Sequence, residues 1–233
     1  MNIVITGASK GMGKAIAEKF ASDENNIFIG ARNEKELSET AYELNLTSGN
    51  RVQYFAADLS HKSGCLQFSK WILSQIDSVD ILVNNAGQFI PGSIFNEEEG
   101  TLEKMIGVNL YSAYHLTRAL LPGMMEKKSG HIFNICSIAS LKAYSNGGSY
   151  SISKYAMMGF SKNLREEMKP FNIKVTAVYP GAVYTSSWEG TDVLPDRIME
   201  VNDIVQMLYA ASFLSPQACV EDIVIRPLLG DLP

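Results

Sequence analysis

The sequence predicts a single α/β domain built on a doubly wound parallel sheet of about seven strands, with helices on both faces. Short β-branched runs alternate with longer helix-like stretches along all 233 residues, and parallel neighbouring strands require helical crossovers of this kind. No linker, internal repeat or low-complexity tract interrupts the alternation. With 46% hydrophobic and 19% charged residues, the composition is that of a globular chain. Residues 1–233 are therefore expected to form one domain.

The predicted strands are short runs rich in valine, isoleucine and aromatic residues, and the predicted helices are the longer stretches between them. The strands are Ile3–Thr6, Ile27–Gly30, Val52–Ala56, Ile81–Asn84, His131–Cys136, Val175–Tyr179 and Ile223–Ile225. The helices are Lys14–Ala21, Glu34–Leu46, Leu66–Ile76, Leu102–Glu126, Ser151–Met168 and Ile204–Leu214. Two boundary signals agree, because Asn33 and Glu36 fit a capping box and Pro170 lies where a helix should end.

Charge and composition argue against several classes of partner. The formal net charge of -5 provides no broad attraction for nucleic acid. No apolar run approaches the ~18 residues of a membrane span, and the first residues predict a strand instead of a signal peptide, so a cytoplasmic protein is expected. Neither a disulfide nor a metal site is expected, because the cysteines and histidines show no ligand spacing. They are Cys65, Cys136, Cys219, His61, His115 and His131.

A glycine-rich turn lies between the first predicted strand and the first predicted helix. Its glycines, Gly7, Gly11 and Gly13, follow the spacing G-x3-G-x-G. Glycine permits tight turns and close approach of a ligand, and the free N–H groups that open a helix attract a pyrophosphate. An ordinary turn is the alternative, but the order of strand, glycines and helix favours a dinucleotide site.

The end of the second predicted strand bears on the choice of dinucleotide. Proteins that bind NAD usually carry an acidic residue there, to accept hydrogen bonds from the ribose hydroxyls. This chain has Gly30-Ala31-Arg32-Asn33 instead, and a guanidinium can bind a 2′-phosphate that a carboxylate would repel. Arg32, with Lys10 as a second cation, therefore predicts NADP(H) over NAD(H). The alternative is that both are solvated surface charges.

A serine, a tyrosine and a lysine form the candidate catalytic group. Tyr150 and Lys154 are four residues apart near the start of a predicted helix, so their side chains share one face. Ser137 follows a predicted strand. Reduction of a carbonyl needs a proton donor and hydrogen bonds aimed at the developing oxyanion. Tyr150 is the candidate donor, and we expect the Lys154 ammonium to lower the pKa of its phenol. Each residue alone also has an ordinary structural interpretation.

Taken together, these motifs resemble the short-chain dehydrogenase/reductase family, most clearly from Thr6 to about Gly181. The matching pieces are Thr6-Gly7-x3-Gly11-x-Gly13, Asp58-Leu59, Asn84-Asn85-Ala86-Gly87, Asn109, Ser137, Tyr150-x3-Lys154 and Pro180-Gly181. The resemblance implies a Rossmann fold and an NADP(H)-dependent oxidoreductase. Such an enzyme reduces a ketone, an aldehyde or a 3-oxoacyl-like group to an alcohol. An NAD-dependent alcohol dehydrogenase and a non-catalytic NADP(H)-binding sensor are the alternatives.

The resemblance also implies roles for individual residues. Ser137 would hydrogen-bond the substrate oxygen, Lys154 would hold the nicotinamide ribose, and Asn109 would position a water that connects Lys154 to solvent. Ser140 is a second candidate, but its context and spacing favour Ser137. The implied cofactor-binding residues are Gly7, Ser9, Lys10, Gly11, Met12, Gly13, Arg32, Asn33, Asp58, Leu59, Asn85, Ala86, Gly87, Tyr150, Lys154, Pro180, Gly181, Val183 and Thr185.

The remaining expectations concern the substrate and the assembly. The family selects its small-molecule substrate mainly through the segment after Pro180-Gly181, here a short loop at about 182–202. Its members usually associate as homodimers or homotetramers through helices that correspond to about Leu102–Glu126 and Ser151–Met168. The ending Glu221–Gly230 departs from the glycine-rich end of 3-oxoacyl carrier-protein reductases. The sequence does not choose between dimer and tetramer, nor among carbonyl substrates.

Overall fold

A computed structural model describes residues 1–49, 51–185, 188 and 193–232. The strands in these ranges are β1 (Asn2–Thr6), β2 (Asn26–Ala31), β3 (Val52–Ala56), β4 (Ile81–Asn84), β5 (Gly130–Ile135), β6 (Ile173–Pro180) and β7 (Asp222–Ile225). The α-helices are α1 (Gly11–Ala21), α2 (Glu34–Ser48), α3 (Lys62–Leu73), α4 (Thr101–Ile106), α5 (Ser112–Lys127), α6 (Gly148–Met168) and α7 (Val201–Ser212). The predicted alternation of strands and helices is therefore present.

Within the described residues, the seven strands form one parallel sheet in the order β3-β2-β1-β4-β5-β6-β7. Strand order reverses between β1 and β4, because β2 and β3 extend the sheet to one side and β4 to β7 extend it to the other. The carboxyl ends of strands at such a reversal leave a crevice between the connecting loops. The doubly wound sheet is confirmed, and it places a cleft beside the glycine turn.

The sheet is covered on both faces, as its buried strands require. Side chains alternate along a strand, so Ile3 and Ile5 of β1 pack into one core while Val4 packs into the other. The first core includes residues of α1, α2 and α7, and the second includes residues of α3, α5 and α6. Leu37 of α2 and Phe68 of α3 are fully buried on opposite faces.

The prediction of one continuous helix over Leu102–Glu126 is wrong. It divides into α4, a π-helical turn at Gly107–Tyr111, and α5. The wide turn carries Asn109, whose side-chain Oδ1 accepts a hydrogen bond from Gln88 N at 2.8 Å while its Nδ2 donates to Gln88 O at 3.0 Å. The apolar residues on either side of a π-helical turn keep the spacing of an ordinary α-helix. The hydrophobic periodicity of the sequence therefore did not reveal this turn.

The helix predicted to start at Leu66 starts instead at Lys62. Its first turn contains Gly64, which the sequence makes look like a break. A Cβ built at Gly64 would lie 2.1 Å from Asp58 O, so glycine allows the helix to pack closely on the loop after β3. Within the described ranges, no helix is long and apolar enough to cross a membrane, and no cluster of three acidic, His or Cys side chains suits a metal ion.

Candidate active site

The cleft at the carboxyl end of the sheet consists of two connected cavities. One has a volume of about 550 Å³ and the other of about 270 Å³. They share four lining residues, which are Met12, Asn85, Gly87 and Thr185. The larger cavity extends toward the ends of β2 and β3, and the smaller one toward the end of β5 and the start of α6. An elongated ligand can therefore span both cavities.

Close packing around the glycine turn explains the positions of its glycines. Gly7 has φ +64°, and a Cβ there would lie 2.9 Å from Ala86 Cα. A Cβ at Gly13 would lie 2.3 Å from Gly7 O. The Asn85 side chain donates hydrogen bonds to Thr6 O at 2.9 Å and to Gly7 O at 3.1 Å. Asn85 therefore uses its side-chain N–H groups to hold the turn, a role that the sequence did not show.

The larger cavity offers a cationic group at the end of β2. The Arg32 side chain is exposed and lines the cavity, and no residue in the described part of the chain forms a hydrogen bond or ion pair with its guanidinium. Burial raises the pKa of the nearby Asp58 carboxyl, but hydrogen bonds from Ser60 and the charges of His61 and Arg32 outweigh this and lower it. The cavity therefore presents an exposed cation beside an ionised carboxylate.

Lys10, the second predicted cation, has an acidic partner. Its Nζ lies 3.9 Å from Glu36 Oε1, and Ser9 Oγ donates a hydrogen bond to Glu36 Oε2 at 3.3 Å. The predicted capping box is half correct, because Asn33 Oδ1 accepts from Glu36 N at 3.2 Å. The Glu36 carboxylate turns toward the glycine turn instead of back to Asn33. Sequence reasoning missed this residue of the cavity wall.

Ser137 lies in the wall of the smaller cavity, just beyond β5. Its Oγ accepts a hydrogen bond from Ala139 N at 3.1 Å, and Ser140 Oγ accepts one from Ser137 N at 3.3 Å. These bonds fix the turn and use the Ser137 hydroxyl only as an acceptor, so its proton can be donated on the cavity side, where the hydroxyl also hydrogen-bonds Tyr150. Ser140 is fully buried and is not among the lining residues. Ser137 therefore has the access to the cavity that Ser140 lacks.

Tyr150 and Lys154 line the same cavity from the first two turns of α6. The Tyr150 ring packs edge-on against Phe89 with centroids 4.8 Å apart. Lys154 Nζ lies 5.9 Å from the Tyr150 ring centroid and donates a hydrogen bond to Ile135 O at 2.9 Å. Phe89, which comes two residues after the Asn84–Gly87 motif, is a further lining residue that sequence reasoning missed.

Burial dominates the ionisation of both α6 side chains. Burial raises the pKa of Tyr150 to about 12, although a hydrogen bond with the Ser137 hydroxyl partly offsets this rise. Burial lowers the pKa of Lys154 to about 8. We expected Lys154 to lower the pKa of Tyr150, and the structure shows the opposite net shift. Removal of water from around each group penalises its charged form, and this cost dominates both shifts.

Asn109 lies behind the cavity wall and connects it to α6. In addition to Gln88, its Nδ2 contacts Ser153 Oγ at 2.8 Å, and Ser153 Oγ donates to Tyr150 O at 2.7 Å. A Cβ at Gly87 would lie 3.0 Å from Asn109 Oδ1 and 3.5 Å from Lys154 Nζ. Gly87 thereby leaves space between these two polar groups.

The remaining predicted site residues follow β6. Gly181 N donates to Ile225 O at 2.8 Å, and Val183 is buried and pairs with Met199. Pro180, Gly181, Val183 and Thr185 all line the smaller cavity. Of the substrate loop expected at about 182–202, positions 186–187 and 189–192 lie outside the described residues. The described part includes a short 3-10 turn at Pro195–Arg197.

Comparison with known proteins places this architecture in a family. The short chain dehydrogenase family model matches residues 1–192. The chain is 31% identical to an uncharacterised oxidoreductase of Staphylococcus epidermidis, over 97% of this chain and 96% of that protein. It is 30% identical to a sepiapterin reductase of Chlorobaculum tepidum, over 99% of this chain and 97% of the relative.

A solved structure agrees with these sequence matches. The alcohol dehydrogenase of Thermococcus sibiricus, complexed with 5-hydroxy-NADP, superposes with a TM-score of 0.90 at 27% identity. The alignment covers 100% of this chain and 98% of that one. The family match, the full-length relatives and the shared fold show that this chain belongs to the short-chain dehydrogenase family of oxidoreductases.

Proposed function

We propose that this protein is an NADP(H)-dependent oxidoreductase that reduces a carbonyl to an alcohol, with Tyr150 as the acid. The carbonyl is a ketone, an aldehyde or a 3-oxoacyl-like group. The observation that carries the proposal is the cavity that Ser137, Tyr150 and Lys154 line together, which continues into the cavity beside the glycine turn. When bound in that cleft, NADPH supplies the hydride.

The cofactor-binding part of the proposal depends on the fit of the larger cavity. Gly7 and Gly13 keep the floor of the turn free of side chains that would clash with Ala86 and with Gly7 itself. The N–H groups at the start of α1 then remain open to a pyrophosphate. The exposed Arg32, which has no ion-pair partner among the described residues, suits a 2′-phosphate, and the similar alcohol dehydrogenase is complexed with 5-hydroxy-NADP. These features support NADP(H) as the cofactor.

The proton chemistry follows from the state of the α6 side chains. With a pKa of about 12, Tyr150 holds its proton at neutral pH and can donate it to the oxygen of the reduced carbonyl. The Ser137 hydroxyl can donate a hydrogen bond to the same oxygen and stabilise its developing charge. Lys154, when protonated, stabilises the phenolate that remains after donation. Asn109 and Ser153 hold the backbone around Tyr150 in place.

The first experiment measures binding of NADPH and NADH by fluorescence titration, in wild-type protein and in Arg32→Ala. A charge-assisted hydrogen bond contributes roughly 1.5–3 kcal/mol, so Arg32→Ala should weaken NADPH about ten- to hundredfold and leave NADH unchanged. Lys35→Ala, which removes an exposed cation three positions away, is the matched control and should change neither affinity. Equal affinity of wild-type protein for the two dinucleotides would contradict the assignment of Arg32.

The second experiment follows NADPH absorbance against ketones, aldehydes and 3-oxoacyl thioesters. The proposal predicts turnover with at least one carbonyl class, and faster turnover with NADPH than with NADH. Firm NADPH binding with no turnover across the panel would favour a sensor. Faster alcohol oxidation with NAD would favour the NAD-dependent alcohol dehydrogenase.

A further inference from the structure

Glu36 lies beside Ser9 and Lys10 in the wall of the larger cavity. Its carboxylate accepts a hydrogen bond from Ser9 Oγ at 3.3 Å and lies 3.9 Å from Lys10 Nζ. The carboxylate-bearing residue lines the same 550 Å³ cavity as Ser9, Lys10 and Arg32. Neither the helix cap nor the proposed catalytic chemistry requires this orientation, since the cap uses only the Glu36 backbone N–H.

We propose that Glu36 sets the cofactor selectivity of this cleft, by limiting its preference for a 2′-phosphate over a 2′-hydroxyl. The inference rests on the proposed NADP(H) site. The carboxylate engages the hydroxyl of Ser9 and the ammonium of Lys10, two donors that a 2′-phosphate would otherwise bind. Among the described residues, Arg32 then remains without an ion-pair partner at this end of the cavity.

The electrostatic argument has two parts. The Lys10 and Glu36 side chains are 66% and 40% exposed, so their ion pair contributes little stability and separates easily when a ligand arrives. The carboxylate nevertheless remains anchored to α2 beside the cavity, where it repels a phosphate. Repulsion between two like unit charges about 4 Å apart in water weakens binding by roughly fivefold.

The same carboxylate affects a 2′-hydroxyl in the opposite direction. Dinucleotide sites that prefer NAD use a carboxylate at the end of the second strand to accept a hydrogen bond from the ribose. Glu36 comes from the first turn of the following helix and faces the same cavity. A carboxylate here weakens binding of a 2′-phosphate without weakening binding of a 2′-hydroxyl. It therefore reduces the difference in affinity between NADP(H) and NAD(H).

The test uses fragments that occupy only the adenosine end of the cleft. Adenosine 2′,5′-bisphosphate and 5′-AMP are titrated by calorimetry into wild-type protein and Glu36→Gln at low and high salt. The amide keeps the size of the side chain and removes its charge. Glu36→Gln should bind the bisphosphate about fivefold to tenfold more tightly at low salt, with a smaller gain at high salt. Affinity for 5′-AMP should not increase.

Glu39→Gln removes an exposed carboxylate from the next turn of the same helix and serves as the matched control. It should leave both affinities unchanged. Equal bisphosphate affinity in wild-type protein, Glu36→Gln and Glu39→Gln would overturn the role of Glu36 while the NADP(H) site stands. Failure of wild-type protein to prefer the bisphosphate over 5′-AMP, with Glu36→Gln behaving alike, would overturn the NADP(H) assignment itself.

Discussion

Among single residues, Lys154 has a proposed catalytic role, and burial of its charged ammonium lowers the stability of the folded protein. It is buried, and its Nζ has one protein acceptor, Ile135 O, among the described residues. Burial lowers its pKa from 10.5 to about 8. The unfolded chain therefore binds the proton more tightly than the folded protein does. A charge that is costly to bury and that lines a cleft is typical of a functional group.

This shift predicts that Lys154→Met stabilises the protein at pH 7. Below pH 8 the folded protein carries the full cost of the buried ammonium, up to about 3 kcal/mol. Between pH 8 and 10.5 the folded-state lysine loses its proton and the cost disappears. The stability advantage of Lys154→Met should thus shrink across this window. Denaturant unfolding at pH 7 and at pH 10 measures it.

Lys162→Met, at an exposed position of the same helix, is the control and should show no such pH-dependent difference. A stability difference between wild-type protein and Lys154→Met that stays constant from pH 7 to pH 10 would contradict the burial argument. Turnover should be lost in Lys154→Met and retained in Lys162→Met.

Sequence motifs predicted the residue types of the cleft better than their partners. Ser137, Tyr150 and Lys154 line one cavity, as the motif order suggested. The orientation of Glu36 and the commitment of Asn85 to the glycine turn depend on tertiary contacts between separate loops. The raised pKa of Tyr150 depends on burial. The spacing of residues along the sequence contains no information about these tertiary contacts or about burial.

At the scale of elements, the start of α6 is held by a residue from a distant loop. Glu97 accepts a hydrogen bond from Ser149 N at 2.8 Å and a second from the Ser149 hydroxyl. The cap position itself, Gly147, provides no side-chain hydrogen bond. A Cβ at Gly148 would lie 2.0 Å from Glu97 Oε1. Glycine at this position therefore allows the carboxylate to approach the helix that carries Tyr150 and Lys154.

Glu97→Ala should therefore destabilise the protein by about 0.5–2 kcal/mol, the usual loss when a cap is removed. Chemical denaturation measures the change in the free energy of unfolding. Glu98→Ala, at the exposed neighbouring position, is the control and should change it little. A loss in Glu97→Ala no larger than that in Glu98→Ala would show that the carboxylate does not support α6.

The sheet was the most predictable part of the fold. All seven predicted strands formed, with ends within two residues of the prediction, because β-branched runs buried on both faces are distinctive. The helices were less predictable where a close contact or an inserted residue changed them. Gly64 fits under Asp58 O and lets α3 start early, and the π-helical turn at Asn109 divides α4 from α5.

At the scale of the whole molecule, α4 to α6 carry a group of exposed apolar side chains. Five of them are between 37% and 48% exposed: Leu102, Tyr111, Tyr114, Ile152 and Tyr155. These helices correspond to those expected to join subunits. We propose that this surface buries itself against a second copy of the chain, since groups of exposed apolar side chains mark interaction sites.

Sedimentation velocity tests this proposal. Wild-type protein should sediment as a homodimer or homotetramer, and the double variant Ile152→Lys/Tyr155→Lys should shift to smaller species, because two buried unpaired charges oppose association. Leu66→Lys alters a similarly exposed apolar residue of α3 and should leave the assembly intact. Monomeric wild-type protein, or a double variant that assembles like wild type, would contradict it.

In the proposed reaction, Tyr150 protonates a carbonyl oxygen in a cleft where NADPH supplies the hydride. The most direct measurement follows deuterium from NADPH, labelled on either face of nicotinamide C4, into the product alcohol by mass spectrometry. Wild-type protein should transfer deuterium from one face to the carbinol carbon. Tyr150→Phe should form product about 10²-fold more slowly or worse, while its NADPH affinity is unchanged. Near-normal labelled product from Tyr150→Phe would contradict the assignment of Tyr150 as the acid, and unlabelled alcohol from wild-type protein with both labelled forms would contradict hydride transfer from NADPH.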